Sequence, residues 1–360
     1  MLTQGIEGFG GAASVAVQSI IPLASFPETY PRVIIDVRCR LPSASDGAYL
    51  SGRPDGRRFA PWVGLSAEGF FAELDRAGIA TAVSVSGNND GLRLGARELP
   101  PRRTNNDDLA ALEARFPGRF LGAAGIDVGG ARHDPLVELE RAVTTLGLRR
   151  IAIEPGRAPM LAEHVADRRL YPFYERAQEL QVALFLQTSG IWGGESLDQA
   201  HPRWIDRVAG DFPDLHLICG HGAYPFVREM IAVTVRRANV FPSPDLYLFT
   251  PSGREWVYAV NRGQIADQFL FGSAFPLCGG LARTVDRFLL QGWRPAVLDR
   301  ILYKNALRAL HLMDDPRFAA GHDGGRRFGA GAIARAAVRL PVREAWRGLK
   351  GRRERAGAAG

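Results

Sequence analysis

Cysteine is scarce: Cys39, Cys219 and Cys278 are the only three in 360 residues. Three thiols cannot frame a disulfide-stapled secreted domain. Lysine is scarcer still, with only Lys304 and Lys350, so nearly every basic group is arginine. Together with abundant Ala, Gly and Pro this reads as GC-rich bacterial coding rather than as a recognition signal. No apolar run approaches the roughly 18 residues of a membrane span. The apolar start, 12–23, has no basic segment before it and is broken by Gln18 and Pro22, so no signal peptide is expected and the expected compartment is the cytoplasm. Zinc-finger spacing, a P-loop and an aromatic RNA platform are all missing, so no nucleic-acid partner is expected.

What is present is ample core-forming material: 46% hydrophobic and 23% charged residues. That is enough for one large core and excludes a disordered chain. The net charge of +7 suggests an anionic polymer as partner until it is located. Residues 317–360 hold eleven basic residues against three acids, or +8, while the other 316 hold 34 against 35, or −1. The body is near neutral. In the tail, Arg335, Arg339, Arg343 and Arg347 recur every four residues, a stripe on one helix face that Pro341 would interrupt. An anionic membrane surface, nucleic acid, an acidic partner, or a solvated or subunit-docking extension all suit that pattern, and homo-oligomerisation is compatible with it.

Short apolar runs alternate with amphipathic stretches. The runs are 33–37, 80–85, 120–126, 150–154, 182–187, 215–220, 245–249 and 268–272. Helical patterns cover 67–77 behind a Ser66 cap, 106–115 with acids in its first turn, 136–146, 171–180, 203–209, 227–238, 282–291 and 296–312. Eight strands alternating with helices predict an α/β chain of the (β/α)8 barrel type. A doubly wound sheet is disfavoured, because the first strand runs into Asp36-Val37-Arg38-Cys39-Arg40 instead of a Gly-rich phosphate loop. The expected organisation is an N-terminal extension over 1–30, a barrel over 31–316 and a basic tail over 317–360, with 41–65 as a long first loop.

Barrel chemistry gathers at the C-terminal ends of the strands. There the chain places Asp36, Arg38 and Arg40, then Glu154, Gln187 and His221, and finally Phe271-Gly272-Ser273-Ala274-Phe275-Pro276. With Phe116-Pro117-Gly118-Arg119-Phe120, Tyr171-Pro172-Phe173-Tyr174, Gln187-Thr188-Ser189-Gly190, Phe212-Pro213-Asp214-Leu215, Gly220-His221-Gly222 and Asn305-Ala306, this order of motifs resembles the amidohydrolase-related family of metal-dependent (β/α)8 hydrolases and decarboxylases over about 33–312. The resemblance implies hydrolysis or carbon–carbon bond cleavage. It also implies a His-x-His pair where this chain has Arg38 and Arg40, a histidine where it has Gln187, and an aspartate where it has Ala274. Only His221 matches a family metal ligand.

Guanidinium stays protonated and has no lone pair to give a metal. The expectation is therefore that the family metal site is lost and no cofactor is bound. Arg38 and Arg40, two apart, should face the same side, either as a clamp for a small anionic substrate or paired internally with Glu154 or Asp36. His221 is expected to titrate near neutrality and serve as acid or base, or else to be a packed histidine. Glu154 is a candidate base or a partner of the arginines, and Gln187 a substrate-orienting group or a polar filler. Asp36 and Ala274 are read as structural, and Cys39 as facing away. Three functions stay open. One is metal-independent acid–base chemistry, of hydrolase, lyase, isomerase or cyclase type, on a small carboxylate. Another is a pseudoenzyme that binds a metabolite or supports a partner enzyme. The third is a conventional metal enzyme with atypical ligands.

Overall fold

The computed structural model describes residues 33–41, 50–51, 56–129, 132–155, 164–191, 193–194 and 196–319. The expected N-terminal extension, most of the basic tail and its arginine stripe lie outside them. Seven parallel strands form one sheet in chain order: β1 (Ile35–Cys39), β2 (Thr81–Val85), β3 (Phe120–Gly125), β4 (Arg150–Ile153), β5 (Ala183–Gln187), β6 (His216–Gly220) and β7 (Val240–Ser243). The eighth position is held by 269–275, which is not a regular strand yet closes the ring. Leu270 N–H donates to Pro242 O at 3.0 Å, and Val37 N–H donates to Phe271 O at 3.1 Å. The result is a (β/α) barrel.

One strand is displaced from its expected place. The apolar run Asp245–Phe249 is a single-turn helix, and β7 lies just before it, where Pro242 pairs with Cys219. A proline normally argues against an interior strand because it has no N–H for the ladder. The shift puts Asp245 immediately beyond a strand end. The helices follow the pattern: α1 (Ala67–Ala77), α2 (Asn106–Arg115), α3 (Pro135–Glu140), α4 (Tyr171–Glu179), α5 (Pro202–Asp211), α6 (Val227–Arg236), α7 (Gly253–Asn261), α8 (Leu281–Leu289), α9 (Pro295–Asp299) and α10 (Asn305–Ala309). The Ser66, Asn105 and Asp134 side chains accept from the first-turn N–H groups of α1, α2 and α3. Helix α7 follows the displaced strand and has no counterpart in the sequence-based pattern.

Alternate side chains divide the apolar residues between two layers. Ile35, Val37, Val83, Val85, Leu121, Phe185, Ile218 and Phe241 fill the barrel interior. Phe120, Ile151, Leu184, Leu217 and Val240 pack outward under the helices. Leu307, Leu310, Leu312 and Phe318 join the inner cluster. They stop the end where the strands begin, since His216 at the start of β6 contacts the Ala309 carbonyl and stacks on His311 at 4.1 Å. At roughly 1.5–3 kcal/mol per buried large apolar side chain, that plug supplies a substantial share of the barrel's stability. Phe318 belongs to this core, so the packed body continues past the expected boundary at 316. Among the described residues this plug closes the end where the strands begin, and Arg38, Glu154, Gln187 and His221 gather at the other.

Candidate active site at the strand ends

Arg38 reaches inward from the end of β1 and is buried. Its Nη2 donates to Gln187 Oε1 at 2.6 Å and lies 3.1 Å from His221 Nε2. Its Nη1 stands 3.5 Å from Asp245 Oδ2. One guanidinium thus joins the ends of β5, β6 and β7. Gly220 makes the approach possible, because a Cβ there would lie 2.2 Å from Arg38 Nε.

His221 is fixed from its other side. Its Nδ1 is 2.8 Å from Asp245 Oδ1, and its backbone N–H donates to Asp245 Oδ2 at 3.1 Å. The carboxylate requires a proton on Nδ1, which leaves Nε2 as the acceptor that Arg38 meets. Burial, then the neighbouring Arg38 charge, push the imidazole down to about 4, even though Asp245 pulls the other way. This corrects the expected titration near neutrality: at pH 7 the ring is neutral. The backbone here is strained. His221, Ala223, Asp245 and Ala274 sit at φ of 69, 54, 46 and 57°, in the left-handed region that non-glycine residues avoid.

A second carboxylate unit lies across the mouth. Glu154, beyond β4, accepts from Arg102 Nη1 at 2.8 Å and from Asn89 Nδ2. Both donors come from the root of a β-ribbon that follows β2, where Asn89 pairs with Arg102 and Leu92 with Leu99. Arg38, Arg40, Arg102, Glu154 and Gln187 line one common cavity of about 10 Å³, room for about one water. Arg38 and Arg40 therefore face the same space. The main partners of Arg38 and Glu154 differ from those expected: Arg38 meets Asp245, and Glu154 meets Arg102 and Asn89.

Asp36 ties the barrel seam. Its Oδ1 accepts from the backbone N–H of Arg38 at 3.0 Å and of Ser273 at 2.9 Å, and burial raises its carboxyl to about 6. Ala274 N–H donates to Arg38 O at 2.7 Å, the next rung of that seam. Cys39 turns away, its Sγ 3.4 Å from Val83 O, and burial pushes its thiol up rather than the arginines pulling it down. The wall beside His221 is aromatic: Tyr247 meets its ring edge-on at 5.2 Å, stacks on Tyr224 at 4.5 Å and shares a hydrogen bond with Ser189 at 3.0 Å.

Sequence reasoning passed over Asp245, Arg102 and Asn89. For Asp245 the signal was Ser243-Pro244-Asp245 closing an apolar run. For the other two there was none short of knowing that the ribbon folds back over β4. Among the described residues, no group of three or more His, Cys, Asp or Glu is placed to hold a metal ion. No described helix is long and apolar enough to cross a membrane.

A parallel barrel with its polar residues at the strand C-termini defines a class, and the sequence places the chain within it. Residues 35–312 match the Amidohydrolase family, and the chain belongs to that family. It is similar to an uncharacterized TIM-barrel protein, Bb4693, from Bordetella bronchiseptica, with 33% identity, a TM-score of 0.63 and coverage of 78% of this chain and 98% of that one. The same fold appears in 5-carboxyvanillate decarboxylase from Sphingomonas paucimobilis, at 16% identity, TM-score 0.58 and coverage of 78% and 99%. It appears again in 2,6-dihydroxybenzoate decarboxylase from Rhizobium, at 16% identity, TM-score 0.59 and the same coverage. No curated protein matches the chain in sequence.

Proposed function

We propose that this chain is a family member in which a guanidinium takes the place of the metal ion, and that it binds a small carboxylate-bearing molecule and moves protons by acid–base chemistry. The observation that carries this reading is Arg38, held between Gln187, His221 and Asp245. A metal needs lone pairs, and a guanidinium offers none. Its fixed charge, 3.1 Å from the His221 imidazole, also repels a divalent ion. The residues present do not fit the family's ion, so no step is assigned to one.

They do suit an anion. Arg38, Arg40 and Arg102 line the same space, and guanidinium pairs with carboxylate through parallel charge-assisted hydrogen bonds. The two decarboxylases with this fold are named for carboxylate substrates, which agrees with that class. A carboxylate beside Arg38 offsets the charge that depresses His221 and draws the guanidinium away from Nε2. The imidazole then regains its lone pair and its basicity, and Asp245 stabilises the imidazolium once a proton is taken up. Gln187, released by Arg38, is left to orient the ligand.

The second reading, a binding protein without turnover, draws on the hold that Gln187 and Asp245 already have on Arg38 and on the water-sized cavity. Calorimetry with benzoate and acetate tests the shared claim. Binding that disappears in Arg38→Met supports the anion site, and binding unchanged in that variant removes it. Within a binding-competent protein, substrate turnover that survives intact in His221→Gln would rule out the proton-transfer role.

A further inference from the structure

The Glu154 carboxylate sits in a cradle. Arg102 Nη1 and Asn89 Nδ2 both donate to it, and Gly87 offers bare backbone beneath it, where a Cβ would lie 2.0 Å from Oε2. Two donors and a glycine floor make a built carboxylate subsite, occupied here by a side chain of the protein itself. The donors belong to the ribbon over 88–103, whose root is braced by Arg103 on Asp90 at 2.7 Å and by Thr104 Oγ1 on Gly87 O at 2.6 Å. The space beneath holds about one water.

We propose that Glu154 is a resident stand-in for a substrate carboxylate, and that a ligand's carboxylate exchanges with it on Arg102 and Asn89, releasing the ribbon as the mouth fills. This rests on the reading of the mouth as an anion site and adds the residues that select the anion. The exchange is chemically matched, carboxylate for carboxylate, so no buried cation is stranded. Arg38 already feels the charge of Glu154 and lines the same cavity, which makes it the side chain's alternative partner. If Glu154 takes up Arg38, the guanidinium leaves His221 Nε2. Filling the subsite and freeing the imidazole then become one event. The ligand class follows: a small molecule with one carboxylate for Arg102 and Asn89 and a polar or anionic group toward His221.

The test uses the full-length protein and malonate as probe, with hydrogen exchange followed by mass spectrometry and calorimetry. Glu154→Gln keeps the shape and removes the competing charge. It is expected to speed exchange over 88–103 and to tighten malonate about tenfold or more, the range of a charge-assisted hydrogen bond. Exchange over α6 should not change. Asn89→Ala, which removes a donor to Glu154 but no charge, should also speed exchange in the ribbon but weaken malonate. Ribbon exchange unaltered in both variants, or malonate bound no more tightly by Glu154→Gln, overturns the proposal. Loss of malonate binding in Arg38→Met with none in Arg102→Gln also overturns it while leaving the anion site standing. Loss in Arg102→Gln with none in Arg38→Met supports the subsite and removes the Arg38 clamp.

Discussion

Asp245→Asn is the sharpest perturbation of the site, since it keeps the volume and removes one charge. The wild-type carboxylate is fully buried and serves four groups: His221 Nδ1 at 2.8 Å, His221 N at 3.1 Å, Leu246 N at 2.6 Å and Arg38 Nη1 at 3.5 Å. Asparagine leaves Arg38 a buried cation without its counter-charge. Breaking one side of a buried pair costs about 3–5 kcal/mol, a large part of the roughly 5–15 kcal/mol that holds a typical domain folded. The new amide also brings an N–H donor toward Nδ1. If Nδ1 accepts from it, the imidazole proton moves to Nε2 and faces the donors of Arg38. Denaturant unfolding of wild type, Asp245→Asn, Arg38→Met and the double variant measures the cost. The single aspartate change should cost about 3–5 kcal/mol, and about 2 kcal/mol or more of that should disappear in the Arg38→Met background. A single-variant cost under about 1 kcal/mol, or additive effects, refutes the arrangement.

The same site sets a pH signature. His221 falls to about 4 from 6.5, so between those values the unfolded chain binds a proton that the fold refuses, and stability rises with pH. Asp36 rises to about 6 from 3.8, so between those values the fold binds the extra proton, and stability falls with pH. Each contributes about 3 kcal/mol across its window, and the two oppose each other between about 4 and 6. Asp36→Asn should therefore steepen the loss of stability on acidification from pH 6.5 to 4, and His221→Gln should flatten or reverse it; identical profiles in all three proteins contradict the shifts. Ala274→Gly relieves a left-handed alanine at φ 57° and should raise stability by about 1 kcal/mol in a thermal or denaturant melt, whereas a loss would show that the methyl packs usefully.

The fold was legible because its signals are local. The caps at Ser66 and Asn105 and the acids at Asp107 and Asp108 mark helix starts within a few residues. The strand runs at β3, β4 and β5 are largely apolar on both faces, as a barrel requires. Legibility failed at β7, where Pro242 interrupts a four-residue strand and Asp245–Phe249 carries a longer run of large apolar residues than the strand itself. Because of that misplacement, Asp245 read as the start of a strand instead of the residue just past one. Arg38, Arg40, Glu154, Gln187 and His221 could be picked out at the strand ends from motif order alone. The partners could not: Arg102 meets Glu154 across 52 residues, and Arg38 meets Gln187 across 149. Charge pairing over such separations is set by how the ribbon and the strand ends converge in three dimensions.

The proposed exchange of a metal ion for the Arg38 guanidinium makes metal content decisive. Elemental analysis of the untagged protein, purified without chelator and then dialysed against zinc and manganese, tests it most directly. Metal far below one ion per chain is expected under both conditions, with Arg38→His/Arg40→His binding more than the parent. A stoichiometric ion in the wild-type protein contradicts it.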